Sequence, residues 1–248
     1  IPGGSAPEKP EKPEKPEKPE DSKDKDEEKE VVTTIEITNG DFESDSEGWD
    51  KEGDIEFAVI DNPEWGTENH WPYRGKKYAR IRNNDKKIAG IKNTFKIDNK
   101  EKKSYIRILF YVKQVTQDDF NNGPLDPDSL KSNGITVKLL DKNKKVKHSK
   151  KISLDGISNT TWNRVGCVIS DLKLEEYTLL IGDKKLFDLL IDDVTIEQIN
   201  LKSINQAIGD SNTTSGIIMS GAGATAIDNG GTMIYKVGKP TNKNAKQP

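Results

Sequence analysis

An all-β protein built on an antiparallel sandwich is what this sequence predicts, from three observations. Apolar and polar residues alternate in short runs, the runs are separated by turn-forming residues, and no segment sustains a helical period. The runs are Val32–Ile37, Ile55–Ile60, Tyr78–Ile81, Ile88–Ile97, Tyr105–Val112, Ile135–Leu140, Val146–Leu154, Trp162–Ile169, Tyr177–Ile181 and Leu186–Ile196. Between them stand Asn39-Gly40, Asn122-Gly123-Pro124, Asn133-Gly134, Asp155-Gly156 and Gly182-Asp183, which favour turns. About ten strands at a spacing of roughly 8–15 residues suit two stacked antiparallel sheets. Helix is expected only as single turns near Pro127–Lys131 and Asp171–Glu176.

Composition divides the 248 residues into four parts. Residues 1–30 hold 18 charged residues and six of the 12 prolines, with Glu-Lys-Pro repeating from Glu8 to Pro19. Proline at every third position matches the turn of polyproline II, and such a segment cannot bury a core. It is expected to act as a semi-rigid spacer or an inert linker. Residues 31–198 carry 15 of the 16 aromatic residues and form the expected domain. Residues 199–237 are rich in Gly, Ser, Thr, Asn, Ala and Ile, and their charged residues are Lys202, Asp210, Asp228 and Lys236. That segment reads as extra strands, a short solenoid, or strands that pair with another subunit. Residues 238–248 read as a frayed tail.

Several classes of function are disfavoured. The single cysteine, Cys167, excludes a cysteine zinc cage or an internal disulfide, and it reads as a small buried residue. The two histidines, His70 and His148, lie in unlike polar contexts, and no nucleophile elbow, phosphate loop or zinc signature occurs, so an enzyme is not expected. A formal net charge of −3 argues against nucleic acid as a partner. No apolar run is long enough for membrane insertion. The lysine-rich run Lys142–Lys151 reads as the charged guard of an edge strand. The chain begins at Ile1 without an apolar leader, so any export signal is expected to have been lost from it. The bias toward Lys, Ile, Asn and Asp suggests an AT-rich bacterial genome.

A set of short motifs adds a more specific expectation. Ile37-Thr38-Asn39-Gly40-Asp41-Phe42-Glu43 followed by Gly48-Trp49 resembles the opening of carbohydrate-binding modules of families 4, 9 and 22. Gly75-Lys76-Lys77-Tyr78-Ala79-Arg80-Ile81, Asn93-Thr94-Phe95-Lys96-Ile97, Thr161-Trp162-Asn163-Arg164-Val165 and Leu190-Ile191-Asp192-Asp193-Val194-Thr195-Ile196 resemble later strands of the same modules, in the same order. The stretches Gln114–Gly134 and Lys142–Lys151 depart from the pattern. The resemblance implies a galactose-binding-like jelly roll without catalytic activity, extracellular or at the cell surface, that holds a larger protein on a glycan. It also implies a structural calcium ion (Ca2+) where the first and last strands meet. Asp41, Glu43, Asp192 and a carbonyl near Lys77 are the ligands so implied. The residues themselves leave a second reading open, in which Asp41 and Asp192 cap turns or pair with lysine. Asp118-Asp119 and Asp126-Pro127-Asp128 lack the glycine and closing glutamate of an EF-hand loop.

Sugar rings stack their CH faces on aromatic side chains while carboxylates and amides bond the hydroxyls. Trp65, Trp71 and Tyr73 crowd one segment with Glu68 and Arg74, and Pro63, Gly66 and Pro72 make that segment a loop. The aromatics are either a binding platform or a plug over one end of the sandwich. Trp49 and Trp162 are expected in the core. Tyr105, Arg107, Tyr111 and Lys113 share one face of a strand, which is either a ligand-gripping face or an ordinary solvated one. The leading expectation is a non-catalytic extracellular module with polysaccharide or glycan as partner. The alternative is a structural or adhesive subunit that self-associates through residues 199–237 by strand exchange. The beats of Ser220–Gly230 resemble autotransporter-adhesin solenoid repeats, which favours that alternative.

Overall fold

The computed structural model of the chain describes residues 32–61, 72–98, 104–115, 134–154, 162–169, 172–200, 224–228 and 232–236. Among these residues the regular structure is all strand: β1 (Val32–Ile35), β2 (Asp50–Glu52), β3 (Glu56–Asp61), β4 (Lys77–Asn83), β5 (Ala89–Lys96), β6 (Ser104–Gln114), β7 (Gly134–Leu140), β8 (Val146–Ser153), β9 (Asn163–Ile169), β10 (Glu176–Asp183), β11 (Phe187–Asn200), β12 (Ala224–Asp228) and β13 (Thr232–Lys236). Every run of alternation named above overlaps one of β1 or β3–β11. The expected turn at Asp171–Glu176 is not helical in its described part, because Glu176 already pairs with Lys96 as the first residue of β10. Pro127–Lys131 lies outside the described residues.

The strands form an antiparallel two-sheet sandwich. The larger sheet has eight strands in the order β12-β13-β9-β6-β11-β4-β3, with β1 paired to β11 off that path. The smaller sheet has five strands in the order β2-β5-β10-β7-β8. β2 had no apolar signal to reveal it: Asp50-Lys51-Glu52 is polar throughout and is a strand because it pairs with Lys92-Ile91-Gly90 of β5.

Period-two alternation sends Ile106, Ile108, Phe110 and Val112 of β6 inward, where they meet Ile91 and Phe95 of β5, Val137 and Leu139 of β7, and Leu179 and Ile181 of β10 in one apolar core. Burying a side chain of that size is worth about 1.5–3 kcal/mol, so this layer dominates the stability. Trp49 belongs to it, stacked on Phe42 with centroids 5.1 Å apart. Cys167 is fully buried there as well, and burial pushes its thiol pKa up to about 12. Trp162 is fully buried but sits elsewhere, in a second cluster with Tyr78, Tyr111, Val115 and Leu190 on the opposite face of the larger sheet.

β11 changes phase along its length. Phe187, Leu189 and Ile191 face the core, and beyond them Val194 and Ile196 do so. The register shifts between Asp192 and Thr195, and Asp193 takes φ 49°. This is a β-bulge, which inserts one residue, re-aims side chains and bends the strand.

Candidate functional site

Three pieces of backbone converge at the β11 bulge: the loop 39–49, the turn 73–77 and the bulge itself. Asn39, at φ 51°, organises the first. Its Nδ2 donates to the carbonyls of Asp45 and Glu47 at 2.9 and 3.1 Å, and its Oδ1 accepts the Ser44 amide at 2.9 Å. Trp49 Nε1 donates to the Asn39 carbonyl at 2.8 Å, fixing the core tryptophan to the same turn. Gly40 then passes so close to the bulge that a Cβ would overlap the Val194 carbonyl, while the Val194 amide donates to the Gly40 carbonyl at 2.8 Å.

The carboxylates at this junction hold backbone. Glu43 Oε1 accepts the amides of Lys76 and Lys77 at 2.6 and 2.9 Å. Gly75, at φ 71°, lies against that carboxylate, and a Cβ there would strike it. Asp192 is buried; its Oδ2 accepts the Arg74 amide at 2.9 Å and its Oδ1 the Asp193 amide at 2.7 Å. Asp41 Oδ1 accepts the Glu43 amide at 3.3 Å. Lys77 Nζ donates to Asp45 Oδ1 at 2.8 Å. The turn-capping reading thus describes the contacts that Asp41 and Asp192 make. Burial nevertheless pushes the Asp192 pKa well above the usual carboxylate range, and that of Asp193 upward too. The donor set, all hard oxygen with excess negative charge, fits the chemistry of calcium. Among the described residues no three His, Cys, Asp or Glu side chains gather where they could hold a metal ion, so such an ion would depend on backbone carbonyls as well.

Beside this junction the outer face of the larger sheet is aromatic. Tyr73, delivered by the turn, stacks on Tyr111 of β6 with 13° between the ring planes. The Arg164 guanidinium lies 5.8 Å from the Tyr111 ring centre, and Lys113 Nζ 5.2 Å from that of Trp162. Tyr78 meets Trp162 edge-on at 5.9 Å. Arg74 is exposed and pairs with Asp193 at 3.6 Å. Burial, and then a hydrogen bond with Tyr73, raise the Tyr111 pKa, so this phenol stays protonated. Two guanidinium–carboxylate pairs close the face: Arg80 forks onto both oxygens of Asp188 at 2.9 and 2.7 Å, and Arg107 donates from Nε and Nη2 to Glu197 Oε2 at 2.8 and 2.5 Å.

The face expected to be either ligand-gripping or solvated is therefore not solvated throughout: Lys113 is 1% and Tyr111 7% exposed. Of the residues proposed for sugar, Tyr73 and Arg74 sit at this cluster, while Trp65, Glu68 and Trp71 lie outside the described residues. Glu43 meets Lys77 by accepting its amide, while Asp41 and Asp192 each accept backbone amides of their own, without the three carboxylates gathering as a ligand set. Tyr111, from the face read as either ligand-gripping or solvated, joins Tyr73, and Arg164 and Asp193, which the sequence does not mark for sugar, join them. The alternation of β6 indicated the face of Tyr111, but nothing local ties it to Tyr73.

The outer face of the smaller sheet offers a trough of about 530 Å³. Leu140 and Leu180 form part of its floor, flanked by Thr94, Thr178 and the Lys92–Glu52 ion pair. No aromatic side chain lines it among the described residues, so it lacks the flat surface on which a sugar ring stacks.

No family model matches the chain, and no curated protein matches it. Among solved structures it is similar to the CBM22-1 xylan-binding domain from Paenibacillus barcinonensis Xyn10C, at 16% identity and TM-score 0.42, over 68% of this chain and 97% of that one. It is also similar to a CBM4 domain, at 18% identity and TM-score 0.39, over 66% and 99% of the two chains. A third likeness is to the K3 cleaved adhesin domain of Lys-gingipain from Porphyromonas gingivalis, at 12% identity and TM-score 0.37, over 67% and 99%. With every one of these TM-scores below 0.5, the likenesses carry no argument about what the chain does, and the two-sheet sandwich rests on its strand pairing.

Proposed function

We propose that the sandwich is a non-catalytic glycan-binding module that attaches a larger protein to polysaccharide outside the cell. The observation that carries this reading is the Tyr73–Tyr111 stack, rimmed by Arg74, Arg164 and Asp193. Tyr73 is half-buried and Arg74 exposed, so an aromatic ring and a charged hydrogen-bonding group stand together at the surface. That combination suits a pyranose, whose CH face stacks while its hydroxyls take the polar groups. Trp65, Glu68 and Trp71 precede Tyr73 closely in sequence and are proposed as further sugar-binding residues.

Affinity electrophoresis of the full chain against a polysaccharide panel tests the reading. Retention by at least one polysaccharide, lost in Tyr73→Ala and weakened in Arg74→Ala, is the expected result. Retention untouched by both variants would move the site elsewhere, and no retention by a folded protein would end the proposal. A reducing-sugar assay on any bound polysaccharide is expected to show no release.

Calcium is part of the same proposal. Asp41, Glu43, Asp192 and the Lys77 carbonyl would hold the ion, which would supply positive charge to a buried carboxylate. A higher melting temperature in calcium than in EDTA, absent in Asp192→Asn, is expected. Equal melting temperatures in both would leave these carboxylates as turn caps only.

A further inference from the structure

The four flanks of the two sheets are protected in different ways. An open strand edge presents unpaired amides and carbonyls, and proteins blunt it by shortness, charge or cover. In the smaller sheet β2 is three residues long, and β8 carries Lys147, Lys150 and Lys151 with a register shift between Leu139 and Leu140 of its partner. In the larger sheet β3 has Glu56 and Asp61 at its ends, and β1 is four residues long. β9 is different. Asn-Arg-Val-Gly-Cys-Val-Ile is seven residues long with Arg164 as its charged residue. Its protection is a cover: β13 pairs along it from Thr232 opposite Cys167 to Lys236 opposite Asn163, and β12 completes a hairpin.

Twenty-three residues, 201–223, join β11 to that cover. β11 ends at Asn200 opposite Ser104, whereas β12 begins at Ala224, which leads through Tyr235 and Arg164 to Tyr111 at the other end of β6. Strand spacing and rise put the two points on the order of 30 Å apart. Residues 201–223 between them can span roughly 75 Å when extended. The tether is therefore long enough to seat the hairpin on a neighbour instead of on its own domain. The hairpin strands carry charge only at Asp228 and Lys236, so no like-charge repulsion opposes a second copy there.

We propose that the β9 edge is an exchangeable strand-docking site, filled by residues 224–236 of the same chain in the monomer and by those of a second copy in a reciprocal dimer. The exchange makes no new kind of contact; it trades an intramolecular ladder for an identical intermolecular one, so concentration and the tether decide the balance. The dimer would place two glycan-binding faces on one particle, though the exchange does not depend on that reading.

Size-exclusion chromatography with light scattering on the full chain tests this, before and after partial unfolding and refolding at high concentration. A dimer that grows with refolding concentration and persists on dilution is expected. Ile234→Pro, at the centre of the β13 register, removes a ladder amide and should cut the dimer fraction at least tenfold, with far-UV circular dichroism checking that the sandwich survives. Deleting residues 203–221 leaves four residues with a reach of roughly 18 Å, too short for the hairpin's own β9, and should convert the chain to dimer. A shortened chain that stays monomeric, or a dimer that persists in Ile234→Pro, would overturn the proposal.

Discussion

The two faces of the larger sheet are made by the same strands and do different work. On β6, Ile108, Phe110 and Val112 enter the apolar layer between the sheets, while Tyr111 and Lys113 turn to the other side. The inner face is aliphatic and aromatic, without a formal charge in its cluster. The outer face combines Tyr73, Tyr78, Tyr111 and Trp162 with Lys113, Arg164 and Asp193, and it buries polar groups that must each be held. Area removed from water stabilises the first face cheaply. The second bears the desolvation cost of charge, which a protein sustains where the arrangement serves recognition or specificity. Stability should therefore be lost mainly through one face and binding mainly through the other.

The sharpest break of that division comes from Phe110→Ala. Emptying the inner layer should cost about 3–5 kcal/mol in denaturant unfolding. If the protein still folds, polysaccharide affinity should be unchanged. Phe110→Leu gives the same test with less loss. A fall in affinity alongside an intact fold would show that the faces are coupled.

Next in size is Arg80→Met, which leaves Asp188 buried without its forked partner and should cost about 3 kcal/mol. Burial already raises the Asp188 pKa, and Arg80 opposes that rise, so its removal drives the pKa higher. A carboxyl whose folded pKa is raised contributes its stability fully below the unfolded value, and that contribution is lost as pH rises through the folded value. The deficit of Arg80→Met should thus shrink on acidification. Unfolding curves of both proteins across the acid range check this, and a deficit independent of pH would contradict it.

Gly75→Ala should cost about 2 kcal/mol, since φ 71° strains any side chain and the new Cβ meets the Glu43 carboxylate that holds the 76–77 amides. Because this turn also presents Tyr73, affinity should fall with stability. That double loss separates the turn from the inner face.

Tyr73→Ala is the converse of Phe110→Ala. We expect a tenfold or greater loss of polysaccharide affinity, about 1.4 kcal/mol, with a smaller loss of fold stability. The smallest effect is reserved for Asp141, remote from both faces in the β7–β8 turn. Its Oδ1 accepts the amides of Lys145 at 3.0 Å and Asn143 at 2.9 Å, which lowers its pKa. A depressed folded pKa contributes stability above the unfolded value and loses it as pH falls through the folded one. Asp141→Asn should flatten the acid limb of the stability curve and leave binding alone.

Local pattern determined much of this molecule. Alternation in Tyr105–Val112 or Ile135–Leu140 is a statement about two faces, and water decides which kind of residue goes inside, so the strands and the main core were legible. Trp49 was legible too, from its place beside a strand in the motif that follows Asn39-Gly40. Tertiary structure decided the rest. Asp50-Lys51-Glu52 became a strand only because β5 offered an edge. Trp162 was expected to be buried and is, but its side of the sheet depends on which neighbours β9 acquires. The Asp192 carboxylate reaches an amide at Arg74, and Glu43 reaches Lys76, across separations that no window of alternation spans. Period and propensity act between adjacent residues, whereas a site of this kind is made where distant turns meet. The physical agent that brings them together is the pairing of β11 with β4 and β6 and the bulge that re-aims its two aspartates.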